Sequence, residues 1–231
     1  MKLLNTLAVT AIFLCLITTG CKKDVTPTST TTTKGHHTIV LRNEAGANAR
    51  PLVSFNAEMG LGYLNGNDYS IYPAPALNAI AWTIGGDPVI ERTLLRFSSL
   101  PCCGGNTPPT AAYLTLYSDP APQNGDLVNA NTGSNNAFYI RRVTNSWVPT
   151  ATTWFNQPAT TTSGQVLIPH TDSPFLDLVN IDVTQMVRDM YTTGNYGFMM
   201  QLQTEDYYNG RIFCASNNAN FNKRPTLTIV F

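Results

Sequence analysis

Charge is scarce in this 231-residue sequence: Asp, Glu, Lys and Arg make up 12% of it, with 14 basic residues against 14 acidic ones. A strongly basic nucleic-acid binder, an acidic disordered chain and a long coiled coil all need more charge, and are excluded. The zero balance gives no overall attraction to nucleic acid, so none is expected as a partner. Histidine is rarer still, with three residues: His36 and His37 adjoin a polar linker and His170 follows a proline. There is no Gly-x-Ser-x-Gly elbow, no His-Glu-x-x-His and no glycine-rich phosphate loop. Acidic residues could pair for glycoside hydrolysis in many ways, but sequence fixes no separation between them. The chain is therefore expected to be noncatalytic. The strong helix formers Lys and Glu are few, whereas Thr, Asn, 16 Gly and 15 Pro favour strands or punctuate them. With 43% hydrophobic residues, including 10 Tyr, 10 Phe and 3 Trp, one sizeable core is affordable, and an all-β domain is the prior.

Long apolar runs are also few, and the clearest is N-terminal. Lys2 precedes a stretch from Leu3 to Ile17 broken only by Asn5 and Thr10, too short to span a bilayer comfortably. It ends in Thr18-Thr19-Gly20 followed by Cys21, which resembles the lipobox of a bacterial lipoprotein, with Thr18 where Leu is the consensus. The resemblance implies that residues 1–20 are a signal peptide and that Cys21 is acylated. The protein would then be lipid-anchored in the bacterial cell envelope, on the outer membrane and facing either the periplasm or the surface. Residues 21–35, with Lys22-Lys23-Asp24 and a Thr-rich run, cannot bury a core and read as a tether. Cys102, Cys103 and Cys214 then remain, an odd number in an oxidising compartment. Adjacent cysteines bridge each other only with strain, so a bond from one of the pair to Cys214 is the better candidate, and metal binding is a weak signal.

Residues 36–231 show short alternating or apolar segments between turns, the pattern of a β-sandwich. Strands are expected at 38–42, 90–97, 111–117, 137–143, 175–181, 197–203 and 226–231. Ala112, Leu114 and Leu116 share one face of theirs, and Leu227, Ile229 and Phe231 the inward face of the last. One helix is expected, with Asp182 as N-cap rather than catalytic acid and a stripe of Val183, Met186, Val187 and Met190.

Six ordered blocks carry a family resemblance: Glu91–Phe97 with Leu100-Pro101, Ala111–Tyr117, Arg142–Trp147 with Thr152–Pro158, Asn180–Thr184, Asn195–Phe198 and Arg224–Leu227. Together they resemble the DNRLRE domain, which is grouped with carbohydrate-binding module family 96. Thr152 stands where that family often has Val, and Ser98-Ser99 where an Asp-containing turn is common. The resemblance implies a jelly-roll-like antiparallel β-sandwich that binds polysaccharide, with acidic, alginate-like uronates among its substrates. Partner enzymes or transporters would benefit from the concentrated polysaccharide. The alternative is a structural or adhesive surface lipoprotein making protein contacts. An exposed aromatic row near Arg groups favours binding, and a broad apolar patch favours adhesion.

Sugar recognition needs aromatic faces, planar polar groups and, for a uronate, guanidinium forks. The segment 204–211 supplies them, so Tyr207, Tyr208 and Arg211 are the candidate carbohydrate-binding residues, on a loop between two strands. Trp147 and Trp154 read as packing residues, and Arg141 and Arg142 must point to opposite faces. No cofactor is expected. Structural calcium has one candidate, Asn65-Gly66-Asn67-Asp68, which without EF-hand spacing reads as a plain turn.

Overall fold

The computed structural model describes residues 30–33, 36–42, 57–97, 100–101, 108–122 and 128–231. Its strands are β1 (Thr30–Thr33), β2 (His36–Arg42), β3 (Ala57–Leu64), β4 (Asn67–Asp68), β5 (Ala76–Ile84), β6 (Asp87–Arg96) and β7 (Ala111–Leu116). There follow β8 (Asn131–Thr132), β9 (Phe138–Val143), β10 (Thr160–Ile168), β11 (Leu178–Asp182), the helix α1 (Thr184–Thr193), β12 (Phe198–Leu202), β13 (Asn209–Cys214) and β14 (Thr226–Val230). One antiparallel sheet runs β1-β2-β14-β7-β11, the other β10-β9-β12-β6-β5-β13-β8, with β3 along β6 and β4 beyond it. The all-β sandwich with one short helix is thus the fold.

Period-two alternation builds the core. Ala112, Leu114 and Leu116 of β7 and Leu227 and Ile229 of β14 are fully buried, as the alternation predicted. They meet Phe138 and Ile140 of β9, Phe198, Met200 and Leu202 of β12 and Phe213 of β13, while Met186, Val187 and Met190 of α1 join the same cluster. The Phe138 and Phe213 rings lie 5.7 Å apart. Each such side chain contributes about 1.5–3 kcal/mol of burial free energy.

In the larger sheet β6 is shared. β3 flanks it from Val89 to Arg96. On its other side β5 pairs with Asp87–Glu91 and β12 takes over at Thr93–Leu95. Where β5 leaves, the Thr93 hydroxyl accepts the Asn78 N–H (2.7 Å) and donates to the Asn78 carbonyl (2.9 Å), so no backbone group is stranded at the branch. The face of this sheet turned away from the main core has its own smaller cluster, Met59, Leu61, Leu94, Val143, Trp147 and Met199, flanked by Trp154 and Tyr196.

Several expectations shift. The strand read from residue 175 begins at Leu178, because the Leu176 N–H is held by the Ser118 hydroxyl (2.8 Å) and the Asp177 carboxylate accepts the Ser118 N–H (2.9 Å). β3, β5 and β10 were not foreseen: glycines interrupt β3 and β10, and the inward alternation of Leu77, Ala79 and Ala81 in β5 rests on small side chains. Thr30–Thr33, within the expected tether, pairs with His36–Ile39 as an edge strand. α1 starts at Thr184, with Val183 as N-cap and Asp182 one residue earlier accepting the Thr184 N–H (2.9 Å). Hydrogen bonds from the Thr184 side chain and then from its backbone N–H hold the Asp182 carboxyl below its usual range. Cys214 is a buried free thiol lying 3.6 Å from the Ser118 carbonyl, and burial pushes its pKa up to about 11, so the expected bridge to it is not formed. Cys21, Cys102 and Cys103 lie outside the described residues. Among the described residues no helix is long and apolar enough to cross a membrane.

Candidate carbohydrate-binding face

Because Phe138 and Ile140 of β9 face the core, Tyr139 and Arg141 must face outward. Tyr139 stands opposite Gln201 of β12 and Arg141 opposite Met199, which in turn stands opposite Leu94 of β6. The β12–β6 ladder ends one pair further on, at Met200 and Thr93, and Gln201 and Arg92 are the next residues of their strands. The Arg141 guanidinium lies 4.5 Å from the centre of the Tyr139 ring, and its Nε donates to Gln165 Oε1 of β10 at 2.9 Å. Among the described residues it has no carboxylate partner, since the four ion pairs found there involve Arg92, Arg142, His170 and Lys223.

Arg92 is fully committed. Its Nε and Nη2 donate to the two Glu205 oxygens at 2.7 and 2.8 Å, and its Nη1 donates to Gln157 Oε1 at 2.8 Å. The same guanidinium lies 4.5 Å from the centre of the Trp154 ring, whose other neighbour, Tyr63, is 5.6 Å away and tilted by 42°. Trp154 is seated by its backbone: Asp68 Oδ1 accepts its N–H (2.8 Å) and the Gln157 amide donates to its carbonyl (2.9 Å). Rings, amides and guanidinium forks therefore lie along this face from β10 to β3, on strands except for Trp154 and Gln157 at a short 3-10 turn and Glu205 on the loop after β12. Trp147 plays the packing part expected of it: it is buried, its indole N–H donates to the Tyr196 carbonyl (2.8 Å), and Arg96 stacks on it at 4.7 Å. Burial there lowers the Arg96 pKa.

The structure separates the three residues picked from sequence. Tyr207 and Tyr208 are 46% and 58% exposed on the loop between β12 and β13. Tyr208 meets Trp82 edge-on at 5.3 Å, and Glu205 of the same loop ties it to Arg92. Arg211 requires correction: it lies inside β13 rather than on the loop, and it is 0% exposed. Two residues from Phe213, it points into the core, 5.3 and 5.8 Å from the Phe138 and Phe213 rings, with Nη1 donating to the Pro169 carbonyl (3.2 Å). Desolvation lowers its pKa to about 10, and no surface ligand can reach it.

Tyr139, Arg141, Gln165, Gln201 and Arg92 were not among the candidates picked from sequence. The signal for Arg141 was present in the opposite facing of Arg141 and Arg142. Arg142 turns inward to Asp189 (3.5 Å) and Thr193 (3.0 Å), which leaves Arg141 outside. The 65–68 segment is the turn between β3 and β4, and Asp68 Oδ1 is taken by Ser70 and Trp154. No three His, Cys, Asp or Glu side chains converge as a metal site among the described residues.

Residues 109–231, more than half of the chain, match carbohydrate-binding module family 96. The chain belongs to that family. Modules of family 96 are noncatalytic in general. The matched stretch runs from just before β7 through β14 and so contributes Tyr139, Arg141, Trp154, Gln157, Gln165, Gln201 and Glu205. Arg92 and Tyr63 come from outside it, on β6 and β3. No curated protein matches the chain.

Proposed function

We propose that this protein is a noncatalytic module that holds an acidic polysaccharide on the strip between β10 and β3, resembles DNRLRE-domain proteins, and is anchored in the bacterial cell envelope through a lipid on Cys21. The observation that carries the reading is Arg141: a cation stacked on Tyr139, braced by Gln165, and free of any carboxylate among the described residues. A guanidinium so held offers a preorganised fork to a uronate carboxylate. The Tyr139 ring supplies a C–H stacking face, and Gln165 and Gln201 supply amides for hydroxyls. Arg92, saturated by Glu205 and Gln157, braces the strip rather than reading the ligand. Tyr207 and Tyr208 extend the contact at its rim. Rings with guanidinium groups beside them are what favours sugar over protein as the ligand. Held near partner enzymes or transporters, the polysaccharide would reach a raised effective concentration.

The adhesive reading has one observation in its favour. Tyr69, Ile71, Tyr72 and Phe155 are between 47% and 66% exposed, and the Asp68–Trp154 bond brings their two segments together.

The test is affinity electrophoresis of the full chain through alginate and through a neutral glucan, with and without calcium. Alginate is expected to retard it, Arg141→Ala to abolish the retardation, and Tyr207→Ala/Tyr208→Ala to weaken it. A folded chain retarded by no polysaccharide would leave the adhesive reading in first place. Loss of labelled palmitate incorporation in Cys21→Ala checks the anchor.

A further inference from the structure

Two guanidinium groups on the outward face of the larger sheet are seated alike and completed differently. Arg141 lies 4.5 Å from the centre of the Tyr139 ring, and the amide oxygen of Gln165 accepts from its Nε (2.9 Å). Arg92 lies 4.5 Å from the centre of the Trp154 ring, and the amide oxygen of Gln157 accepts from its Nη1 (2.8 Å). A ring against the plane and an amide at one nitrogen leave two nitrogens of each guanidinium for a further acceptor. At Arg92 the protein supplies that acceptor itself: the two Glu205 oxygens accept from Nε and Nη2 at 2.7 and 2.8 Å. At Arg141, Nη1 and Nη2 have no partner among the described residues. Arg96, further along β6, is set apart, part-buried against Trp147 and donating to the Trp147 carbonyl (3.4 Å).

The filled fork shows what the open one fits. Glu205 lays both carboxylate oxygens on two nitrogens of a ring-backed guanidinium, and a uronate carboxylate can do the same at Arg141. Leu94 is in register with Met199, and Met199 with Arg141, while Arg92 is two residues from Leu94 on β6; ordinary sheet spacings then set the Arg141 and Arg92 α-carbons about 12 Å apart. One extended polysaccharide chain spans both. The Arg92 and Glu205 side chains keep 19% and 21% of their surface, so a chain laid along the face meets the pair directly. A second ligand carboxylate arriving there finds the fork taken and meets the Glu205 charge, whereas an uncharged sugar meets no such repulsion.

On the reading that the strip holds an acidic polysaccharide at Arg141, on which this depends, we propose that Glu205 is a specificity-determining residue. It fills the Arg92 fork from within, so dense charge on the ligand gains nothing there. The face therefore selects acidic polysaccharides whose carboxylates are separated by uncharged sugars over those charged on every sugar.

The test is affinity electrophoresis of the full chain through alginate and through the same alginate with most of its carboxyl groups esterified, each mobility corrected against a gel without polymer. The two polymers share one backbone, so a change in their affinity ratio between variants reports the spacing of charge. Wild type is expected to be retarded by the esterified polymer at least as strongly as by alginate. Glu205→Gln frees the Arg92 fork and should shift the ratio toward alginate about tenfold, the worth of one charge-assisted contact. Arg92→Gln/Glu205→Gln, with no guanidinium at that place, should return the ratio to the wild-type value. An unchanged ratio in Glu205→Gln, or an equal loss of both polymers because the loop of Tyr207 and Tyr208 has come loose, would overturn the proposal. Either result beside alginate retardation that Arg141→Ala abolishes leaves the strip reading standing. Wild type retarded by neither polymer would remove that reading and this proposal with it.

Discussion

The family-matched segment, residues 109–231, and the earlier segment, residues 57–97, differ in sequence legibility but not in structural weight. The first carries five of the six motif blocks, whereas the second carries the Glu91–Phe97 block and two strands, β3 and β5, that composition did not reveal. Yet β12 and β13, both in the matched segment, are not neighbours: β6 and β5 stand between them. Leu77, Ala79 and Ala81 of β5 and Leu95 and Phe97 from the end of β6 lie in the same core as Leu114 and Leu227. The family segment therefore marks recognisable sequence, and the folding unit is larger than it.

Removing residues 57–97 should have the largest effect. It would leave β12 and β13 without their shared neighbours, and the shortened chain is expected to show no cooperative urea transition and no near-ultraviolet circular dichroism. A cooperative transition in that chain would break the comparison.

Next come single core truncations. Leu95→Ala in the earlier segment and Leu114→Ala in the matched one, both 0% exposed, should each cost about 2–5 kcal/mol in urea melts. A cost below about 1 kcal/mol at Leu95 alone would show that the earlier segment adds little to the core.

The seam between the segments can be probed at Gly197, where φ is +83° and a Cβ would run into the Leu95 carbonyl and the Arg96 backbone. Gly197→Ala is expected to cost about 1–3 kcal/mol, and an unchanged midpoint would show that β6 can shift to admit the methyl group.

Glu58 tests the same seam through pH. Buried at 4% exposure, it accepts the Ser216 N–H at 2.7 Å, and desolvation raises its pKa despite that bond and the Arg224 charge. The unfolded chain loses this proton first as pH rises, so stability is full below the ordinary carboxylate range and falls until the folded carboxyl also ionises. Glu58→Gln keeps an acceptor for Ser216 and should remove that fall, seen as a flatter stability profile between about pH 4 and pH 8. An identical slope in wild type and variant would mean that burial does not raise the Glu58 pKa in the fold.

The smallest effect on stability is expected at the site. Tyr208→Ala, at a 58% exposed residue, should change stability by less than about 0.5 kcal/mol while weakening alginate retardation. A larger loss would make its contact with Trp82 structural.

The pattern of what could be read follows from these particulars. β7 and β14 were legible because one face of each is wholly apolar and buried, which imposes strict alternation. β3, whose alternating Ala57, Met59 and Leu61 are interrupted by Gly60 and Gly62, and β10, with its Thr-Ser-Gly run, were not, because glycine and serine read as turn residues. Tyr207 and Tyr208 were placed on an exposed loop correctly. Arg211 was not, because β13 begins two residues before it, and in a strand the residue's parity then decides between solvent and core.

By itself the sequence determined the all-β class, the inward faces of β7 and β14, the short helix and the opposite facing of Arg141 and Arg142, since each follows from local periodicity. Only the tertiary structure decided that β6 and β5 separate β12 from β13, and that Arg92 is spent on Glu205 while Arg141, among the described residues, has no carboxylate partner. Those are contacts between residues far apart in the chain. Their existence depends on which strands pair and in what register, and no local pattern encodes that.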